Sequence, residues 1–207
     1  MAGRFISLEG GEGAGKSTQL RRLAEALRAR GIAVIETREP GGSAGAEAIR
    51  ALLLEGEGDR WGAGAEALLF AAARADHIAK TIRPALAAGS WVLCDRFLDS
   101  SRAYQGVGSG LGDDAILSLH RIGSAGFLPD RTLLLQLPPA LAAEREAERD
   151  GATRDRIAGR GMAYHDAVAD AFRRMAAEEP ARFRTIDARG APADVTGQLL
   201  AALEDML

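Results

Sequence analysis

Gly10-Gly11-Glu12-Gly13-Ala14-Gly15-Lys16-Ser17 stands between a short apolar run, Arg4–Leu8 (RFISL), and a helical stretch from about Gly15 to Ala29. It fits the pattern G-x-x-x-x-G-K-[ST] in the strand–turn–helix setting which that pattern requires. The glycines let the backbone turn with its N–H groups pointing inward, so that successive donors surround a phosphate oxygen. The helix behind the turn adds the positive end of its dipole at the same point. Lys16 brings a mobile charge to the β- and γ-phosphates, and the Ser17 hydroxyl can ligate Mg²⁺. Contact with ATP is therefore predicted for Gly10, Gly11, Glu12, Gly13, Ala14, Gly15, Lys16, Ser17 and Thr18. The chain has 24 arginines and only two lysines, Lys16 and Lys80, so a lysine kept in this turn is not an accident of composition.

Outward from the turn, short apolar runs alternate with helical stretches, the pattern of a parallel sheet flanked by helices. After the first strand come Ala33–Thr37 (AVIET), Trp91–Asp95 (WVLCD), Arg131–Leu137 (RTLLLQL) and Phe183–Asp187. The third is apolar throughout and is expected to lie centrally in the sheet. Helices are expected near Ala44–Leu54, over Ala65–Ala88 with Pro84 near its end, over Asp113–Gly123, up to about Ala177, and over Val195–Met206. Gly106–Gly112, with four glycines in seven residues, reads as a loop, and Pro138-Pro139 ends the fourth strand. One composition shift stands out: Glu144–Arg160 carries five arginines in seventeen residues and reads as a mobile lid, at about 144–161, on a single domain spanning 1–207.

The bulk properties narrow the function class. At 207 residues, 47% hydrophobic and 27% charged, the chain has ordinary globular composition. A net charge of −3 with mixed signs argues against a nucleic-acid polymer as partner, though not against a mononucleotide. The single Cys94 suits a reducing compartment, no apolar run is long enough for a bilayer, and the N-terminus leaves no room for a signal peptide. A cytoplasmic protein without membrane contact is expected. His77, His120 and His165 have no metal-ligand spacing and read as structural or surface residues. Asp95, ending an apolar strand, is placed where a carboxylate supports Mg²⁺ in such enzymes, although a turn-capping Asp has the same look.

GTP-binding switches read guanine through Asn-Lys-x-Asp, and neither lysine lies in such a segment. A small kinase acting on a phosphorylated metabolite remains, and further segments resemble one family. Thr37-Arg38-Glu39-Pro40-Gly41-Gly42-Ser43 is similar to the TREPGGT segment of thymidylate kinases, and Leu69–Arg74 to their LFxAxR helix. Asp95-Arg96-Phe97 with Ser100–Gly106 resembles their DRYxxSSxAYQG element, and Asp155-Arg156-Ile157 their lid motif. The resemblance runs in order from Phe5 to about Asp187. It implies the P-loop nucleoside monophosphate kinase fold, with a five-stranded parallel sheet carrying helices on both faces. It also implies Mg²⁺, dTMP as acceptor and a homodimer packed through long helices.

Phe70 and Arg74 are four apart on a helix and so share a face. An aromatic plane stacks on any base, while Arg74 offers only donors, which match O4 of thymine and oppose the N4 amino group of cytosine. Taken singly, Phe70 reads first as ordinary core packing, and Arg74 reads equally as a solvated helix charge. By resemblance, Arg96 and Arg50 would hold the dTMP phosphate, with Arg50 alternatively a surface residue. Arg38, Glu39 and Pro40 would shape the acceptor side, and Ser101, Tyr104 and Gln105 would meet base and sugar. The acidic Glu12 in the turn, with Arg145, Arg149, Arg154, Arg156 and Arg160 downstream, fits the subtype whose lid supplies the catalytic arginines. One or two of Arg149, Arg154 and Arg156 would reach the transferring group beside Glu12, Lys16 and Arg96. The sequence departs from the family at Ala158, where a Glu is common, and at Phe97, which lacks a hydroxyl. A kinase for dUMP or CMP, and a nucleotide-binding module without transfer, are the competing readings.

Overall fold

A computed structural model describes residues 2–56, 60–148 and 159–207. Its sheet has five parallel strands: β1 (Phe5–Glu9), β2 (Val34–Arg38), β3 (Trp91–Asp95), β4 (Arg131–Gln136) and β5 (Phe183–Asp187). Their order is β2-β3-β1-β4-β5, so β1 and not β3 is the middle strand, with β3 beside it. Both are buried along nearly their whole length, which is why an apolar run alone could not separate the centre from its neighbour.

Period-2 alternation decides which face each residue serves. Ile6 and Leu8 point to one side, against Leu20, Leu23 and Leu27 of α1 (Lys16–Ala29) and against Val195 and Leu199 of α9 (Pro192–Ala201). Phe5 points to the other, against Ile78, Ile82, Phe97 and Ile116. Ser7 shares that second face and bonds Thr132 Oγ1 at 3.0 Å, and Glu9 follows at the same parity. Carboxyl ends of β1 and β3 thus open on one crevice at the point where strand order reverses, the usual ligand position in open α/β sheets.

Between β2 and β3 run α2 (Ala44–Leu54), α3 (Ala63–His77), a π-helical turn (Ile78–Ile82) and α4 (Arg83–Ala87). The expected single helix over 65–88 is therefore present but widened one turn before Pro84, whose ring would press on the carbonyl four residues back. After β3 come α5 (Leu98–Ser101), a second π-helical turn (Arg102–Gly108) and α6 (Asp113–Ser124). The glycine-rich stretch read as a loop therefore begins inside a helix. Gly108 is needed there, because a Cβ would lie 2.5 Å from the ring of Tyr164. Beyond β4, α7 (Pro139–Glu148) starts at Pro139, so the proline pair ends the strand and opens a helix, as the first helical position permits. Residues 144–148 of the expected lid close α7, and α8 (Met162–Glu178) follows residues 159–161. Arg149, Arg154, Arg156 and the departure at Ala158 lie outside the described residues.

Asp99 pins the 98–108 segment in place. Its buried carboxylate takes both terminal nitrogens of Arg182 at 2.6 and 2.9 Å, Nη1 of Arg102 at 3.2 Å and the Thr132 hydroxyl at 3.2 Å. Burial raises its pKa, and the two guanidinium groups outweigh that and hold it below the usual range.

Candidate active site

The turn after β1 has the geometry its glycines foretell. Gly10 takes φ 140°, and a Cβ there would sit 2.4 Å from the carbonyl oxygen of Leu135. Gly15, at φ 84°, caps α1, so the first amides of that helix face the turn. Lys16 is buried and folds back, its Nζ donating to the carbonyls of Gly10 (3.1 Å) and Gly11 (2.7 Å). Burial, with Arg96 nearby, lowers its pKa. Residues 12–18 line a wide cleft. Ser17 donates from Oγ to Asp95 Oδ2 at 2.6 Å, so a hydroxyl and a carboxylate meet at the end of the cradle. That donor set fits a hard divalent cation such as Mg²⁺, with Ser17 as ligand and Asp95 behind it.

A second cavity, about 550 Å³ with its open mouth, adjoins the cleft. Phe70, Arg74, Ser101, Tyr104 and Gln105 line it together with Pro40, which follows a cis peptide bond from Glu39. Phe70 is only 9% exposed and is at once part of the core and a wall of the cavity. Arg74 is no solvated charge: it is buried, with Nε on Glu39 Oε2 at 2.8 Å and Nη2 on Ser101 Oγ at 2.7 Å. Arg38 lines the wide cleft rather than the cavity and pairs with exposed Glu47 at 3.1 Å.

The two spaces share Glu12, Glu39, Arg50 and Arg96. Arg50 is half-buried there and donates to the carbonyl of Pro40 at 2.6 Å, which settles against a surface position. Arg96 turns out of β3 at φ 67°, a left-handed conformation that costs a side-chain-bearing residue of order 1–3 kcal/mol. The turn brings its guanidinium to Glu12 Oε1 (2.5 Å), Gly10 O (3.1 Å) and Ser100 Oγ (3.1 Å), over the Tyr104 ring at 5.1 Å. Arg96 holds the Glu12 carboxyl down to about 2, against burial.

Of three buried carboxylates in this region, two escaped the sequence reading. Glu39 was named only as an acceptor-side residue, and it is gripped from both sides by Arg74 and His77, the latter at 3.0 Å. Glu66 and Glu9 were not named. Glu66 lies one turn before Phe70 on the same face of α3, and that spacing was a usable signal. Glu9 carries no sequence signal beyond ending β1. It accepts from the backbone N–H groups of Phe97 (2.8 Å) and Ser100 (3.3 Å), and its Oε2 lies 2.6 Å from Ser100 Oγ. Burial, and the charge of Asp99 behind it, push its carboxyl up to about 8 against those donors.

Between the ordinary 4.5 and about 8, the folded chain then keeps a proton that the unfolded chain has released. Stability from this group is full at low pH and is lost as pH rises through that window. Melting temperature measured against pH should therefore decline less steeply in Glu9→Gln than in the parent. An equal slope in both would count against the assignment.

A cavity joined to a phosphate cradle, on this doubly wound sheet, defines a P-loop nucleoside monophosphate kinase. Comparison with known proteins carries this further. The family model for thymidylate kinase matches residues 8–198. A thymidylate kinase of Rhizorhabdus wittichii is 69% identical over 207 residues, covering the whole of both chains. One of Bradyrhizobium diazoefficiens is 48% identical over 206 residues, covering 99% of this chain and 90% of its own. The crystal structure of thymidylate kinase from Ehrlichia chaffeensis superposes with a TM-score of 0.81 at 30% identity, covering 98% of this chain and all of the other. The chain belongs to the thymidylate kinase family.

Proposed function

We propose that the phosphoryl group passes in line from ATP, seated on residues 10–18, to the phosphate of dTMP held between Arg96 and Arg50, with no covalent enzyme intermediate. The reaction is ATP + dTMP → ADP + dTDP. One observation carries this reading: the cleft and the cavity meet at Glu12, Arg50 and Arg96, so two nucleotides entering from opposite sides bring their phosphates together there. The acceptor phosphate is largely dianionic at neutral pH (second pKa about 6), so no strong base is required. Glu12, held ionised by Arg96, orients the acceptor and does not abstract a proton. Lys16 follows the migrating charge, and Ser17 with Asp95 behind it would hold Mg²⁺, which when bound would supply positive charge against the negative charge that develops. Phe70 stacks on the base, and the resemblance to the family gives Tyr104, whose ring lies beneath the Arg96 guanidinium, the task of excluding a ribose 2′-hydroxyl.

Steady-state rates across dTMP, dUMP, dCMP and CMP with ATP test the acceptor assignment. The highest kcat/KM is expected for dTMP, and a preference for CMP would overturn the role of Arg74. A nucleotide-binding module without transfer gives no ADP with any of them.

The reading extends to a homodimer in the cytoplasm. Leu68 on α3 and Ile122 on α6 are 58% and 85% exposed on two helices that pack together, with Gly123 of α6 against Ala75 of α3. No helix among the described residues is long and apolar enough to cross a membrane. Ile122→Arg should shift the sedimentation coefficient from dimer to monomer, and an unchanged dimer would place the interface elsewhere.

A further inference from the structure

A glutamine in a base pocket can present either end of its amide, and the two ends select different bases. Gln105 sits on the π-helical turn after α5, 1% exposed, and lines the cavity beside Arg74 and Ser101. Its Nε2 donates to Glu66 Oε1 at 2.9 Å. Glu66 is fully buried on the first turn of α3, and its second oxygen takes Nη2 of Arg160 at 2.8 Å. Arg160 is itself held by Tyr164 Oη (2.6 Å) and Ser109 Oγ (3.0 Å). A carboxylate paired with a guanidinium has only lone pairs to offer, so turning the amide over would set oxygen against oxygen.

We propose that Glu66 is a positioning residue that sets base specificity by locking the Gln105 amide with its carbonyl oxygen toward the acceptor base. Among the described residues, nothing donates to Gln105 Oε1, and Nη1 of Arg74 makes no hydrogen bond while Nε and Nη2 are engaged. Arg74 therefore offers the base one donor and Gln105 one acceptor. That pair matches an imide edge, O4 accepting and N3–H donating, as in thymine or uracil. Cytosine presents the reverse at both atoms, an N4 donor and an N3 acceptor. A free amide could turn to satisfy cytosine N3, but one fixed on Glu66 cannot. This rests on the proposal that the acceptor base lies over Phe70.

The test is the ratio of kcat/KM for dTMP over dCMP in the intact enzyme. Glu66→Gln, nearly isosteric, lets the Gln105 amide take either orientation. The ratio should fall at least about tenfold, a change of about 1.4 kcal/mol, through a higher KM for dTMP and better use of dCMP, with kcat for dTMP changed less. Arg160→Gln breaks the same ion pair yet leaves the carboxylate for Gln105, so the ratio should stay within about twofold. A ratio unmoved in Glu66→Gln, or moved equally in Arg160→Gln, overturns the proposal. Should Glu66→Gln fail to fold, the parent enzyme decides with 3-deaza-dTMP, whose ring carbon cannot donate as N3–H does. Its kcat/KM should be at least about tenfold below that of dTMP, and equality overturns the proposal. Phe70→Ala separates the two readings, because failure of the base site leaves its KM for dTMP unchanged, whereas failure of the Glu66 role alone does not.

Discussion

Replacing Lys16 by Ala should lower kcat by at least about 10²–10³-fold, the usual loss when one donor to a developing charge is removed. The ammonium lies over the mouth of the turn, bonded to the carbonyls of Gly10 and Gly11, and from there needs only to swing to meet a phosphate. A cation that strengthens its contact as charge moves onto the leaving oxygens acts on the transition state more than on bound ATP, so kcat should suffer more than KM. The folded state should survive, since the Gly10 carbonyl keeps its bond from Arg96 Nη1 at 3.1 Å and Gly11 is only partly buried. ADP release in a coupled assay, with circular dichroism melting as control, reads both. Unchanged turnover in a folded variant would remove the phosphate cradle from the account.

Arg96→Ala should be as damaging, but on the acceptor side. The guanidinium ties Glu12, the Gly10 carbonyl and Ser100 into one assembly at the meeting point of the two spaces. Its loss takes a fork for the dTMP phosphate and also frees Glu12, which would then meet that phosphate as an unneutralised negative charge. The expected fall in kcat/KM for dTMP is about 10²–10³-fold, with a marked rise in KM that Lys16→Ala does not show. Arg96→Lys should recover little, because an ammonium cannot reach three acceptors in fixed directions. A variant with normal KM for dTMP would place the acceptor phosphate elsewhere.

Much of this arrangement was legible in the residues. The five strands follow from apolar runs, with edges displaced by one residue at β1, β2 and β4, and the cradle follows from a spacing with a defined backbone mechanism. What stayed hidden has physical causes. Pro139 and Gly106 were read by their usual propensity, but a proline fits the first position of α7, and Gly106 fits a widened turn packed on α8. Glu9, Glu66 and Asp99 drew no reading from the sequence. They are buried because partners far along the chain (Ser100, Arg160, Arg182) satisfy them, and such pairing has no local signature. Arg50, expected at the dTMP phosphate, lies at the junction of the two spaces, while Arg38, expected to shape the acceptor side, ends β2 in an exposed ion pair with Glu47.

The most direct test is a crystal structure of the chain with dTMP and a non-hydrolysable ATP analogue together. The triphosphate should lie along the amides of residues 11–18, the pyrimidine against Phe70, and the two phosphate groups should face each other beside Arg96. A thymine ring bound away from Phe70, or a triphosphate outside the turn, would contradict the account.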